Sequence, residues 1–193
     1  MIISTKQKYV FVSNPKTGTH SFFKLLKEQF DGEQLEGRYH ENHVPEEHVD
    51  MFTFSTCRHP FSRAVSAFHV LTRDDGYKDL FLPKIGADDF LSFVKWLVKH
   101  DNEKELVGRG MAVLTLQSTW LKPARIDKLV RIEHANDDFL TLPFVKKPVD
   151  VPVLLSRKHE TWDEIKCKKS DALLRDWLAK DFDFLPYDPD TIP

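Results

Sequence analysis

The chain is short of glycine and cysteine, and no long stretch of it is apolar. It has 193 residues and seven glycines, and nowhere does it carry the G-x-x-x-x-G-K-[ST] phosphate loop. Its two cysteines, Cys57 and Cys167, lie far apart and make no disulfide framework. There is no H-E-x-x-H pair on which to build a zinc hydrolase. No segment reaches the ~20 apolar residues that span a bilayer, and the N-terminus runs into a strand-like segment rather than a signal peptide. The expectation is therefore no membrane insertion and a cytoplasmic setting. Neither sign of charge dominates, with 28 basic against 30 acidic side chains and a net charge of −2. Bulk charge therefore gives no reason to expect nucleic acid as a partner. Internal repeats and low-complexity tracts are also lacking.

What is present suits a packed core. Hydrophobic residues make up 41% of the chain, with fifteen phenylalanines and four tryptophans. The length predicts a single domain over 1–193. Tyr9-Val10-Phe11-Val12 reads as a strand buried on both faces, as in a parallel sheet. Pro15 ends it, and Gly18 permits a tight turn close to a ligand. Thr19 or Ser21 can open a helix whose core face carries Phe22, Leu26 and Phe30. The free N–H groups of such a helix start attract anions. Lys16, Thr17, Thr19 and Ser21 gather an ammonium and hydroxyls at the same place.

A second unit of the same kind follows. Met51 to Thr56 alternates apolar and hydroxyl residues and reads as a strand. Pro60 suits the first turn of a helix with Ala64, Val65, Ala67, Phe68 and Leu71 on its apolar face. Arg58 then falls just past the carboxyl end of a strand, the rim where open α/β sheets bind ligands. Ser66 falls about two helical turns further on. The rigid fork of an arginine matches a phosphate monoester.

Taken together, Ser13-Asn14-Pro15-Lys16-Thr17-Gly18-Thr19-His20-Ser21 and Arg58-His59-Pro60-Phe61-Ser62-Arg63-Ala64-Val65-Ser66 resemble the two cofactor motifs of the sulfotransferases that use 3'-phosphoadenosine 5'-phosphosulfate (PAPS). The ending Asp181-Phe182-Asp183-Phe184-Leu185-Pro186-Tyr187 is similar to that of the carbohydrate sulfotransferase-like family. The resemblance implies an α/β fold, a parallel sheet flanked by helices, related to P-loop nucleotide-binding proteins. It implies PAPS as co-substrate, with no metal, and transfer of its sulfuryl group to an acceptor hydroxyl on a carbohydrate or small molecule, or to an amine. Adenosine 3',5'-bisphosphate (PAP) would be released. Lys16, Thr17, Gly18, Thr19, His20 and Ser21 would hold the 5'-phosphosulfate, with Lys16 steadying the leaving group. Arg58 and Ser66 would hold the 3'-phosphate, joined by Arg157 and Lys158 from a late basic loop. Gln117 and Trp120 match the segment that lines the acceptor cleft. Golgi members of the superfamily carry an anchor and stem, so a trimmed catalytic domain would place the chain in the Golgi lumen instead.

Transfer to a hydroxyl needs a base. Tyr39 to His48 holds His40, His43 and His48 between the two motifs. His43-Val44-Pro45 resembles the segment of cytosolic sulfotransferases that carries the catalytic histidine. The order of candidates is His43, His40, Glu41. The same histidines could be read as a zinc site, but sulfuryl transfer requires no metal. Two other functions fit the fold class. One is a P-loop phosphotransferase, which is disfavoured because Lys16 precedes the only glycine of its loop. The other is a PAP-binding module without catalysis.

Overall fold

The computed structural model describes residues 1–36, 39–86, 88–100, 111–154 and 160–191. In chain order the strands are β1 (Ile2–Ser4), β2 (Tyr9–Val12), β3 (Glu33–Gln34), β4 (Phe52–Cys57) and β5 (Lys128–Arg131). The helices are α1 (Thr19–Gln29), α2 (Pro60–Arg73), α3 (Lys78–Ile85), α4 (Phe90–Lys99), α5 (Gln117–Leu121), α6 (Ala135–Leu140), α7 (Trp162–Ile165), α8 (Lys168–Trp177) and α9 (Ala179–Phe184). They form two compact units, Met1–Arg58 with Gln117–Arg157 and His59–Leu116 with Lys158–Pro193.

The first unit holds a five-stranded sheet in the order β3-β1-β2-β4-β5. β2, β4 and β5 run parallel, with Phe11 opposite Phe54 and Phe54 opposite Lys128. The sheet is mixed rather than wholly parallel, because β1 pairs antiparallel with both β2 and β3. The cause is local. Only Thr5 to Lys8 separate β1 from β2, too few residues for a crossover, so the chain must double back. Lys8 accommodates that turn at φ +60°. After α1 the chain returns to β1 through Gly32. A Cβ there would lie 2.6 Å from Ile2 Cγ2 and 2.9 Å from the Leu26 carbonyl, so only glycine fits.

Alternation along the strands gives this unit two cores. Tyr9, Phe11, Phe54 and Val130 pack with Phe22, Leu25 and Leu26 of α1 and with Phe139 and Phe144. The Tyr9 and Phe144 rings stack 4.3 Å apart. Ile3, Val10 and Val12 point to the other face, with Leu121 and Ala124. At about 25 cal/mol per Å², burying each large ring contributes on the order of 2 kcal/mol.

The second unit is helical among its described residues. Phe61, Phe68, Leu71, Phe81, Phe93, Leu97, Trp162 and Leu174 belong to one core. Asp89 caps α4 by accepting from the Ser92 amide at 2.9 Å, as its sequence suggests. α3 forms with Pro83 inside it, because Phe81 and Ile85 are buried. Ser170 is the third residue of α8. Cys167 is the cap, paired reciprocally with Ser170. No described helix is long and apolar enough to cross a membrane.

Candidate functional site

The carboxyl end of β2 leads into a loop wound around one carbonyl. The Asn14 oxygen accepts from the Thr17 hydroxyl at 2.8 Å and the Thr19 hydroxyl at 2.9 Å. Thr17 Oγ1 lies 2.7 Å from Thr56 Oγ1 of β4. With its own proton on Asn14, Thr17 takes the proton of Thr56. The hydroxyls of Thr17 and Thr19 therefore shape the loop in this structure. Asn14 is fully buried, and its Nδ2 donates to the Thr56 carbonyl at 3.1 Å and to Gln117 Oε1 at 3.0 Å.

Winding the loop this tightly puts Lys16 at φ +68°, a left-handed conformation that is unfavourable for a residue with a Cβ. Gly18 follows at φ +78° and caps α1 without a side-chain hydrogen bond. The Ser21 and Phe22 amides both reach the Gly18 carbonyl, at 3.0 and 3.3 Å. Neither Ser13–Gly18 nor the first turn of α1 contains a carboxylate. A half-buried lysine just before an 11-residue helix that begins without a side-chain cap makes this corner attractive to an anion. His20 is exposed, with its ring 4.9 Å from that of Tyr39. Ser21 Oγ accepts from the Leu154 amide at 3.1 Å, which ties the chain preceding 155–159 to the start of α1.

The histidine segment lies against the same loop. Ser13 Oγ donates to the Tyr39 carbonyl at 2.9 Å, Trp120 Nε1 donates to the Ser13 carbonyl at 3.1 Å, and Asn42 Nδ2 donates to the Trp120 carbonyl at 2.8 Å. His40 is half-buried between the rings of Tyr39 (5.1 Å) and Trp120 (6.5 Å). The Tyr39 hydroxyl has no hydrogen-bond partner among the described residues, and burial pushes its pKa up to about 12, so it stays a neutral phenol. His43 projects outward with a side chain 76% exposed, its Nδ1 3.7 Å from Glu41 Oε1. That same oxygen accepts from the Asn42 and His43 amides at 3.0 and 3.3 Å. Among the described residues no group of three His, Cys, Asp or Glu could hold a metal ion.

Arg58 is half-buried just after β4, at the rim that the sequence predicts. Its amide donates to Gln117 Oε1 at 3.1 Å, and its carbonyl accepts from Gln117 Nε2 at 2.8 Å. Gln117, an acceptor candidate by sequence, is fully buried and bonds to the loops of both motifs. Ser66 is buried on α2, in the second unit. Arg157 and Lys158 lie outside the described residues.

Asn14 and Asn42 are the residues that the sequence reading passes over. For Asn14 the available signal was a short amide side chain two residues after an apolar strand, a type that bonds to nearby backbone. Comparison of the chain with protein-family models, with curated proteins and with solved structures finds no match.

Proposed function

We propose that this chain is a PAPS-dependent sulfotransferase, of the carbohydrate sulfotransferase-like type within the P-loop-related sulfotransferase fold. One observation carries the reading. Lys16, beside the start of α1, and Arg58 follow the carboxyl ends of two adjacent parallel strands, β2 and β4. Two cations following adjacent strand ends at one edge of a sheet suit a ligand that carries two anionic groups. The left-handed strain at Lys16 supports the same assignment, since strain of this kind collects at functional sites.

When bound, PAPS supplies an activated sulfuryl group on its 5'-phosphate. Lys16 and the N–H groups of Gly18 to His20 would hold that end and meet the charge growing on the leaving phosphate. A preorganised donor of this kind is typically worth about 10²–10³ in rate. Arg58 would hold the 3'-phosphate. As the acceptor oxygen bonds to sulfur and the sulfur–phosphate oxygen bond breaks, a base takes the hydroxyl proton, a contribution of roughly 10²–10⁴. The 39–43 segment supplies it. Position favours His40, which is held against Trp120 beside the loop, over the outward-facing His43. Trp120 would offer the acceptor a ring surface, while the buried Gln117 would act on the loops.

Turnover tests the proposal. PAPS incubated with the protein and a panel of sugar and small-molecule alcohols should release PAP only when an acceptor is present. PAP release from no acceptor class, together with phosphoryl transfer from Mg-ATP, would replace this reading with the phosphotransferase.

A further inference from the structure

Gln117 opens a five-residue helix, is fully buried, and makes three hydrogen bonds with its carboxamide. Its oxygen accepts from the Arg58 amide at 3.1 Å and from Asn14 Nδ2 at 3.0 Å, and its nitrogen donates to the Arg58 carbonyl at 2.8 Å. The orientation is unambiguous. The amide and carbonyl of Arg58 fix which end of the Gln117 group is oxygen. The Thr56 carbonyl, which can only accept, fixes Asn14 in the same way. Gln117 therefore pairs with Arg58 as a neighbouring strand would, one residue beyond the end of β4. From that position it also grips the loop that leads to Lys16.

We infer that Gln117 is a positioning residue that sets the separation between the two anion-binding ends of the candidate site, by joining the Asn14 loop to the Arg58 backbone in one buried bridge. The inference rests on the PAPS reading above. A guanidinium stands at the end of a long side chain, so a small rotation of the Arg58 backbone moves it far from a fixed phosphate. Burial strengthens the restraint, since each broken bond would leave a desolvated donor or acceptor. Full burial also removes Gln117 from direct contact with an acceptor.

The test compares two ligands that differ only in the 3'-phosphate, PAP and adenosine 5'-monophosphate, by calorimetric titration. Gln117→Met keeps the shape and removes all three bonds. It should lower PAP affinity by about tenfold more than it lowers monophosphate affinity, the scale of one charged hydrogen bond. In an Arg58→Ala background the same substitution should leave the ratio of the two affinities unchanged, because no guanidinium remains to be displaced. Should Gln117→Met not fold, Gln117→Glu serves. It keeps the acceptor oxygen but sets a carboxylate against the Arg58 carbonyl. Its ratio should be low at pH 8 and recover, relative to the unsubstituted protein at each pH, as acid protonates the buried carboxyl and restores a donor. Equal loss for both ligands, an undiminished loss of the ratio in the Arg58→Ala background, or no recovery in acid would overturn the inference and leave the PAPS reading standing. Failure of the unsubstituted protein to bind PAP at all would remove both.

Discussion

Replacing Lys16 by alanine and by glycine separates backbone strain from charge at one atom's cost. Both substitutions remove the ammonium and every contact of the side chain, so their difference reports the backbone alone. At an ordinary loop position, glycine is the less stable of the two by about 0.4–1 kcal/mol, because it frees the unfolded chain. At φ +68° the order reverses. A residue with a Cβ pays roughly 1–2 kcal/mol in the left-handed region, and glycine does not. Subtracting the entropy term at the middle of both ranges leaves Lys16→Gly more stable than Lys16→Ala by about 0.8 kcal/mol, or roughly 2–3 °C in melting temperature for a chain of this size. Scanning calorimetry reads the difference. Both variants should lose affinity for PAPS to the same extent. If Lys16→Ala melts at or above Lys16→Gly, the loop is not strained, and the argument from strain to function goes with it.

Arg58→Ala should weaken PAP binding by about 1.5–3 kcal/mol while sparing adenosine 5'-monophosphate, as titration of the two ligands would reveal; equal losses would detach Arg58 from the 3'-phosphate. His40→Ala should cut turnover by ~10²-fold or more with PAP affinity nearly intact, whereas His43→Ala should retain more activity; the opposite ranking in initial-rate assays would move the base to His43. Asp138 accepts from Arg131 Nε, the terminal nitrogen and the amide at 2.8, 2.7 and 2.9 Å, and these bonds hold its pKa below the ordinary 3.8. A carboxylate with a lowered native pKa stabilises the fold fully above 3.8 and loses that effect as pH falls below it, so the gap in melting temperature between the protein and Asp138→Asn should close on acidification. A gap that stays constant to about pH 3 would show that the pair contributes nothing to the acid dependence.

The parts of the fold that could be read in advance are those in which one local signal dominates. Tyr9 to Val12 and Met51 to Thr56 give apolar strands within a residue or so of β2 and β4, and Pro15, Gly18 and Pro60 mark where each unit turns. The antiparallel strands are harder to see. β1 and β3 are three and two residues long, so they exist by pairing with β2 and with each other rather than by their own pattern. α3 hides behind Asp74-Asp75-Gly76 and Pro83, turn formers that the burial of Phe81 and Ile85 overrides. At the site, spacing places Lys16 and Arg58 at strand ends but says nothing of Gln117. Its partners Asn14 and Arg58 lie 103 and 59 residues away in sequence. Trp120 is similar, since its tie to the Ser13 carbonyl spans 107 residues.

On the proposed function, Lys16, the start of α1 and Arg58 bind a 3'-phosphorylated adenine nucleotide through anion contacts without a metal. Thermal unfolding with PAP in the presence of EDTA tests it most directly, since a ligand that binds the native state at 100 times its Kd stabilises it by about 2.7 kcal/mol. The account predicts a saturable rise of several degrees with PAP, undiminished by EDTA and absent in the Lys16→Ala, Arg58→Ala double variant. No shift with PAP, alongside a clear shift with Mg-ATP that EDTA abolishes, would contradict it.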